Sequence, residues 1–149
     1  MPRKSNFITK DIIIASDHAG FSLKENIITE LKKKKFKIKN LGTYNDVNSV
    51  DYPIFAKNLC KKINSKNIGI LVCGSGIGMS IAANRHKGIR AALVNSVNAS
   101  KLSRLHNNAN VICIGSRLIS KKIAIKSIMS FLVTKFEGDR HLRRVKLLG

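Results

Sequence analysis

The sequence "IGILVCGSGIGMSIAANR", from Ile68 to Arg85, carries the clearest signal of the fold. It opens with the apolar run IGILV, which is typical of a strand covered on both faces. Glycines at 74, 76 and 78 follow, and a helical run extends from about Ile77 to Asn84. A buried strand, a tight turn and a helix in direct succession predict one strand–helix unit of an α/β fold.

Further apolar runs rich in β-branched residues predict additional strands. They lie at Ile12 to Ala15, Ile89 to Val94 and Asn110 to Gly115, and a weaker alternating run at Phe36 to Gly42 predicts an edge strand. Between the runs lie segments with helical spacing, whose apolar faces are Phe21, Leu23, Ile27, Ile28 and Leu31; Phe55, Leu59 and Ile63; and Ile123, Ile128, Phe131 and Leu132. The alternation predicts an α/β sandwich with a parallel sheet joined by right-handed crossovers.

The chain of 149 residues has the size of one domain. We assign residues 1–10 to a basic N-terminal extension and residues 11–149 to a single domain. The tail from Glu137 to Gly149 is predicted to be a short basic helix that begins at Gly138 and Asp139. It has too few apolar residues to anchor itself firmly, so we expect it to dock on a partner subunit.

The sequence shows no sign of a membrane, export or disulfide-bonded protein. No apolar stretch approaches the roughly 20 residues that span a bilayer, and the run Ile12 to Ala15 is too short for the core of a signal peptide. Cys60, Cys73 and Cys113 form neither an even set nor a C-x-x-C pair, so neither a disulfide framework nor a zinc site is indicated. We expect a cytoplasmic protein without metal or cofactor.

The formal net charge of +20 would ordinarily favour nucleic-acid binding. Its distribution argues against that function, because the lysines lie largely on predicted helix surfaces and turns, as in "LKKKKFKIK" from Leu31 to Lys39. Two tyrosines and no tryptophan are available for base stacking. The abundance of Ile, Lys and Asn, whose codons are A/T-rich, explains the lysine excess without a nucleic-acid partner.

Polar residues follow three of the predicted strands. They are Ser16, Asp17 and His18 after the first, Cys73 to Gly78 after the central one, and Gly115 to Arg117 after the last. Ligands of open parallel sheets bind beyond the carboxyl ends of the strands. These residues are therefore the candidate site.

The loop at Gly74, Gly76 and Gly78 has two interpretations. Its amides, at the start of a helix and beside the Ser75 hydroxyl, would converge on a negative charge. It is neither a dinucleotide fingerprint nor a P-loop, because the G-x-G-x-x-G and G-K-[ST] patterns are missing. Taken alone, the glycines fit a tight turn as well as an anion site.

Cys73 also has two interpretations. A cysteine after a buried strand is commonly a small apolar filler, as we expect of Cys60 and Cys113. Beside amide donors at a helix N-terminus, however, a thiolate is stabilised and can act as a base or nucleophile. Its position favours the reactive interpretation.

Two short polar motifs leave function and capping open. In "SDHAG", Asp17 could cap the following helix, and His18 could be an ordinary loop residue. In "HNNAN", His106 and Asn107 precede a strand, where a C-terminal helix cap explains them equally well.

In the tail, Arg140 and Arg144 are four residues apart and share a helix face, with His141 nearby. Two guanidinium groups on one face suit a phosphate. A solvated basic helix accounts for them as well.

Together, these motifs resemble those of the type B ribose-5-phosphate isomerases, within the ribose/galactose isomerase family. The resemblance begins at Ile12 and rests on these stretches in order: "SDHAG", "DYP" (Asp51 to Pro53), "VCGSGIGMSIAANR", "GIRAAL" (Gly88 to Leu93), "HNNANV" (His106 to Val111), "IGSR" (Ile114 to Arg117) and "EGDRHLRRV" (Glu137 to Val145). It implies a three-layer α/β/α sandwich with a five-stranded, Rossmann-like parallel sheet. It also implies metal-free interconversion of ribose 5-phosphate and ribulose 5-phosphate by a homodimer or tetramer.

The resemblance also assigns roles to residues. Cys73 corresponds to the base that moves a proton between C1 and C2. The loop Gly74 to Gly78, including Ser75 and Gly76, corresponds to the hole for the enediolate oxygen. His106 resembles the acid/base that opens the sugar ring, with Asn107 beside it, and Asp17 lines the substrate hydroxyls. Four residues resemble those that contact the substrate phosphate in the family: His18, Arg117, Arg140 and Arg144.

Two rival functions remain at this point. Isomerases of allose 6-phosphate and galactose 6-phosphate share the fold and many of the motifs. The retention of Cys73, His106 and both tail arginines in one chain favours a pentose phosphate as substrate. A basic nucleic-acid-binding protein would leave the polar groups at the strand ends unexplained.

Overall fold

The computed structural model describes residues 6–149 as a five-stranded parallel sheet with helices on both faces. The strands are β1 (Asp11–Ser16), β2 (Lys37–Asn40), β3 (Asn67–Cys73), β4 (Ala91–Leu93) and β5 (Val111–Gly115). The helices are α1 (Phe21–Lys33), α2 (Tyr52–Cys60), α3 (Ile77–Asn84), α4 (Val97–Asn107), α5 (Lys121–Val133) and α6 (Arg140–Leu147). The strand order is β2-β1-β3-β5-β4, which confirms the predicted fold class.

The two faces of the sheet are packed by alternating residues of the same strands. Ile12 and Ile14 of β1 face a core formed with α1 and α5, whereas Ile13 and Ala15 face a core formed with α2 and α3. Both sets of side chains are buried, because β1 lies inside the sheet with a helical layer on each side. The result is the expected three-layer sandwich.

The prediction for the run Ile89 to Val94 was only partly right. Its apolar residues predict a strand covered on both faces, like that at Ile68 to Val72, but β4 spans only Ala91–Leu93 and forms an edge of the sheet, with Leu93 37% exposed. It pairs with β5 alone, so its outer side has no neighbouring strand in the protomer. The other edge, β2, was correctly predicted from its alternating pattern.

Two predicted boundaries are also corrected. Of the extension predicted at residues 1–10, residues 1–5 lie outside the described part of the chain. Phe7 and Ile8 pack against the core, and the Ile8 amide donates to the Leu132 carbonyl at 2.7 Å, so packed structure begins before residue 11. Ile63, placed on the face of the second helix, lies beyond α2, which ends at Cys60.

The topology places the site residues at two different edges of the sheet. All five strands point the same way, so they share one carboxyl edge. There Ser16 neighbours Val72, and Cys73 neighbours Gly115. Helix α4 leaves this edge after β4 and returns the chain to the start of β5. Its last residues therefore lie at the opposite, amino edge.

Within residues 6–149, none of the helices has the length and apolar character needed to cross a membrane.

Candidate active site

A cavity of about 400 Å³ opens at the carboxyl edge. Its lining consists of Asp17, His18, Ala19, Tyr52, Cys73, Gly74, Ser75, Gly78, Arg117 and Leu118. Residues predicted from the ends of β1, β3 and β5 thus meet in one cavity, although Ser16, Gly115 and Ser116 of the predicted set do not line it. Gly76, the remaining predicted residue of this loop, is buried behind the cavity against Leu93 and Ile114.

Cys73 is the last residue of β3 and lines this cavity although it is only 4% exposed. Its Sγ accepts a hydrogen bond from the Gly76 amide at 3.1 Å. Gly76 is the N-cap of α3 and has φ +76°, a left-handed conformation that glycine adopts without strain. The turn therefore directs an amide and the positive end of the helix at the sulfur.

Neighbouring side chains pack closely on the same loop. The Ser75 Oγ accepts from the Ile77 amide at 3.1 Å. A Cβ at Gly74 would lie 2.9 Å from Nη1 of Arg117, and one at Gly78 would lie 2.6 Å from Cζ of Tyr52. Glycines at these two positions let a guanidinium group and a phenol ring lie against the loop backbone.

Asp17 and His18 are fixed by backbone amides. Oδ1 of Asp17 accepts from the Gly20 amide at 2.9 Å. Gly20 is itself the N-cap of α1, which has no side-chain cap, so this carboxylate fixes the turn before the helix and does not cap the helix amides. Nδ1 of His18 accepts from the Val50 amide at 3.1 Å. The neutral His18 ring therefore carries its proton on Nε2, which can donate to a ligand.

Backbone hydrogen bonds join the loops at the carboxyl edge. The Ser116 amide donates to the Cys73 carbonyl at 2.8 Å, and the Arg117 amide donates to the Gly74 carbonyl at 3.0 Å. The Ser116 hydroxyl also donates to the Ala19 carbonyl at 2.8 Å. The polar groups around the thiol are consequently held in place before any ligand binds.

The other predicted residues form a second cluster at the amino edge. His106, Asn107 and Arg144 line a cavity of about 300 Å³ together with His141. The rings of His106 and His141 are stacked, with centroids 4.3 Å apart. Burial, followed by the charges of Arg140 and His106, lowers the pKa of His141.

Arg140 is exposed at the start of α6, and its Nη1 lies 3.5 Å from Oε1 of Glu137. It does not line the cavity at the amino edge.

The two clusters are far apart in one protomer. The cavities that they line have no residue in common. The 11 residues of α4 carry the chain back over about 16 Å between the two edges, at roughly 1.5 Å per residue. One protomer therefore does not bring His106 or Arg144 to the Cys73 thiol.

The three cysteines should differ in reactivity. Burial raises the pKa of Cys60 to about 11 and also raises the pKa of Cys113, so both remain neutral thiols, as their assignment to the core predicts. We expect iodoacetamide at about pH 8 to modify Cys73 alone in the folded chain and all three cysteines after denaturation. Peptide mass spectrometry measures this, and equal labelling of Cys60 in the folded chain would contradict it.

Sequence reasoning gave no role to Tyr52, Glu137 or His141. Tyr52 begins α2 directly before Pro53 and lies against the glycine loop. Its only sequence signal was the stretch "DYP". The proximity of Glu137 and His141 to His106 depends on how the tail packs against α4, and no spacing along the chain reports it.

A sequence profile of the Ribose/Galactose Isomerase family matches residues 12–148. The chain belongs to this family. Among ribose/galactose isomerases, the probable ribose-5-phosphate isomerase B of Mycoplasma genitalium is 47% identical over 139 residues, which are 91% of each chain.

Solved structures of the ribose/galactose isomerase family are also similar. Ribose 5-phosphate isomerase B from Anaplasma phagocytophilum superposes with a TM-score of 0.93 at 43% identity, over 96% of this chain and 99% of that one. The Mycoplasma genitalium isomerase with bound ribulose-5-phosphate superposes with a TM-score of 0.84 at 44% identity, over 93% of each chain.

Proposed function

We propose that the chain is an aldose–ketose isomerase that interconverts D-ribose 5-phosphate and D-ribulose 5-phosphate. The observation that carries this proposal is the position of Cys73, whose sulfur lines a polar cavity and accepts a main-chain amide at a helix N-terminus. Membership of the ribose/galactose isomerase family and the relative with bound ribulose-5-phosphate support this substrate class.

The proposed reaction moves one proton along the sugar. The Cys73 thiolate removes the proton from C2 of the open-chain aldose, and the electron pair forms the C1–C2 double bond of an enediolate with negative charge on O1. The thiol then returns the proton to C1, while the hydroxyl proton of O2 passes to O1 and leaves a ketone at C2. Both hydrogens stay in the sugar, and the oxidation of C2 to a ketone is matched by the reduction of C1 to an alcohol, so neither an oxidant nor a reductant is needed.

The glycine loop supplies the stabilisation of the enediolate. The amides of Gly74 and Ser75 donate to no group within residues 6–149, and they adjoin the thiol. Donors aimed at a developing oxyanion contribute on the order of 3 kcal/mol each. In this proposal Asp17 binds the substrate hydroxyls, and His18 and Arg117 donate to the phosphate; the position of all three on the cavity wall supports these roles.

Ring opening and the remaining phosphate contacts come, in our proposal, from a second copy of the chain. His106, Asn107, Arg140 and Arg144 are assigned to these roles, but His106 and Arg144 lie at the amino edge of their own protomer. A homodimer that sets the amino edge of one protomer against the carboxyl edge of the other completes two equivalent sites.

An apolar surface beside the glycine loop supports the homodimer. Ile77 and Ile81 of α3 are 48% and 58% exposed, and the exposed Leu93 of β4 lies against Gly76. Contiguous exposed apolar side chains commonly mark protein interfaces.

The cytoplasm is the location we propose, because a reducing compartment maintains the free thiols of Cys60, Cys73 and Cys113.

The substrate is tested with ribose 5-phosphate, allose 6-phosphate and galactose 6-phosphate in parallel coupled assays. We expect kcat/KM to be highest for ribose 5-phosphate by at least about tenfold, since an added hydroxymethylene group must fit the same cavity. A higher kcat/KM for either hexose phosphate would contradict the pentose assignment. If none of the three sugar phosphates is turned over, the proposed isomerase activity is contradicted.

A further inference from the structure

Three potential metal ligands meet at the amino edge of the sheet. They are His106 near the end of α4, Glu137 in the connection between α5 and α6, and His141 in α6. One ligand atom from each residue lies within 4.8 Å of the other two. Two imidazoles and one carboxylate are a common protein ligand set for zinc, with the fourth position left to solvent.

A buried nitrogen without a partner is an independent indication of a ligand. His141 is only 6% exposed, and its Nε2 is buried without a hydrogen-bond partner within residues 6–149. Buried polar atoms are nearly always paired, and an exception calls for an unseen water or ion. Because the ring of His141 is stacked on His106, this unpaired nitrogen belongs to the same cluster.

Small side-chain movements would bring the three residues to zinc geometry. Tetrahedral ligands at about 2.1 Å from the ion lie roughly 3.4 Å apart, which is closer than the 4.8 Å limit of this cluster. Glu137 is exposed. Within residues 6–149 it forms one ion pair, in which its Oε1 lies 3.5 Å from Nη1 of Arg140. It can therefore rotate toward the two rings, and its exposure gives an ion access from solvent.

The nearby cations oppose a divalent ion. Arg140 competes for the carboxylate of Glu137, and Arg144 lines the same cavity as the two histidines. Imidazole and carboxylate ligands together select a transition metal over Mg²⁺, which prefers oxygen ligands alone. Loss of the Arg140 charge should consequently tighten metal binding.

We propose that His106, Glu137 and His141 bind one Zn²⁺ ion per chain and that the bound ion inhibits the enzyme. The ion occupies a ring nitrogen of His106, which then cannot exchange a proton with the sugar. The proposed proton-transfer steps use protein groups alone. The inhibition rests on the proposed function, whereas the binding of zinc does not.

Binding is measured by titrating Zn²⁺ into the Cys73→Ala chain in a calorimeter, since this background lacks the accessible thiol. We expect one ion per chain, an affinity reduced by at least about tenfold in Glu137→Gln, and an increased affinity in Arg140→Gln. Glu30→Gln, which removes an α1 carboxylate paired with Lys33, is the matched control and should bind like the parent. No binding by the parent, or equal affinity in Glu137→Gln, would overturn the site.

Inhibition is measured with ribose 5-phosphate on chains that retain Cys73, and each variant is compared with its own zinc-free rate. We expect the zinc concentration for half-inhibition to rise by at least about tenfold in Glu137→Gln. Equal inhibition of both chains would place the inhibitory zinc elsewhere, on the Cys73 thiolate for example, and would overturn that part of the proposal. A parent chain without isomerase activity would contradict the proposed function, while the calorimetry would still test the site.

Discussion

Replacing Cys73 with alanine should lower kcat for ribose 5-phosphate by about 10² to 10⁴-fold, the range that a positioned acid/base group contributes. The sulfur is the group on the cavity wall that receives the Gly76 amide at 3.1 Å. Alanine leaves the strand and the glycine turn intact but has no atom that can accept the C2 proton. The variant should therefore still bind ribulose 5-phosphate, with a dissociation constant close to that of the parent by calorimetry.

Cys60→Ala is the matched control for Cys73→Ala. It removes a thiol from the core beside α3, outside the cavity at the carboxyl edge, and should lower stability modestly while turnover is retained. Turnover of Cys73→Ala at the rate of Cys60→Ala would remove Cys73 as the base. Loss of both binding and turnover in Cys73→Ala would instead assign the residue to the structure of the loop.

The sheet was largely predictable because its strands are covered on both faces. Two runs are apolar without alternation, Ile12 to Ile14 and Ile68 to Val72. A continuous apolar run of this length is typical of a strand buried on both faces. The run at Ile89 to Val94 is also mainly apolar, apart from Arg90, but it lies at an edge of the sheet. An apolar sequence does not show by itself that helices cover both faces of a strand. Here Leu93 is exposed beside the apolar surface of α3.

The cavity at the carboxyl edge was predictable from a general rule of parallel sheets. Asp17, Cys73 and Arg117 each follow a strand, so their proximity depends on chain direction alone. Tyr52 contacts the same loop from the start of α2, after a long connection whose path no local pattern indicates. The contact of Tyr52 with the glycine loop is therefore visible only in the folded structure.

The cluster at the amino edge shows the limit of motif reasoning. His106 and Arg144 were recognised as site residues by resemblance, but resemblance does not state which edge of the sheet they occupy. Because α4 returns the chain from the end of β4 to the start of β5, they lie across the sheet from Cys73. The separation follows from the topology, so a site that uses both clusters needs two copies of the chain.

Two inactive variants should restore activity when they are combined. Cys73→Ala and His106→Asn alone each damage every site of a homodimer. In a hybrid dimer, one of the two sites takes both altered residues and the other takes neither. Random exchange of equal amounts gives hybrids as half of the dimers, so about a quarter of the parent activity should return.

The decisive measurement is therefore the isomerase rate of Cys73→Ala and His106→Asn chains that are denatured and refolded together. The control is the same two chains refolded separately and then mixed under conditions in which subunits do not exchange. We expect about a quarter of the parent rate for the co-refolded sample and almost none for the separately refolded one. A co-refolded sample that forms hybrid dimers by native mass spectrometry and yet remains inactive would contradict a site shared between two chains.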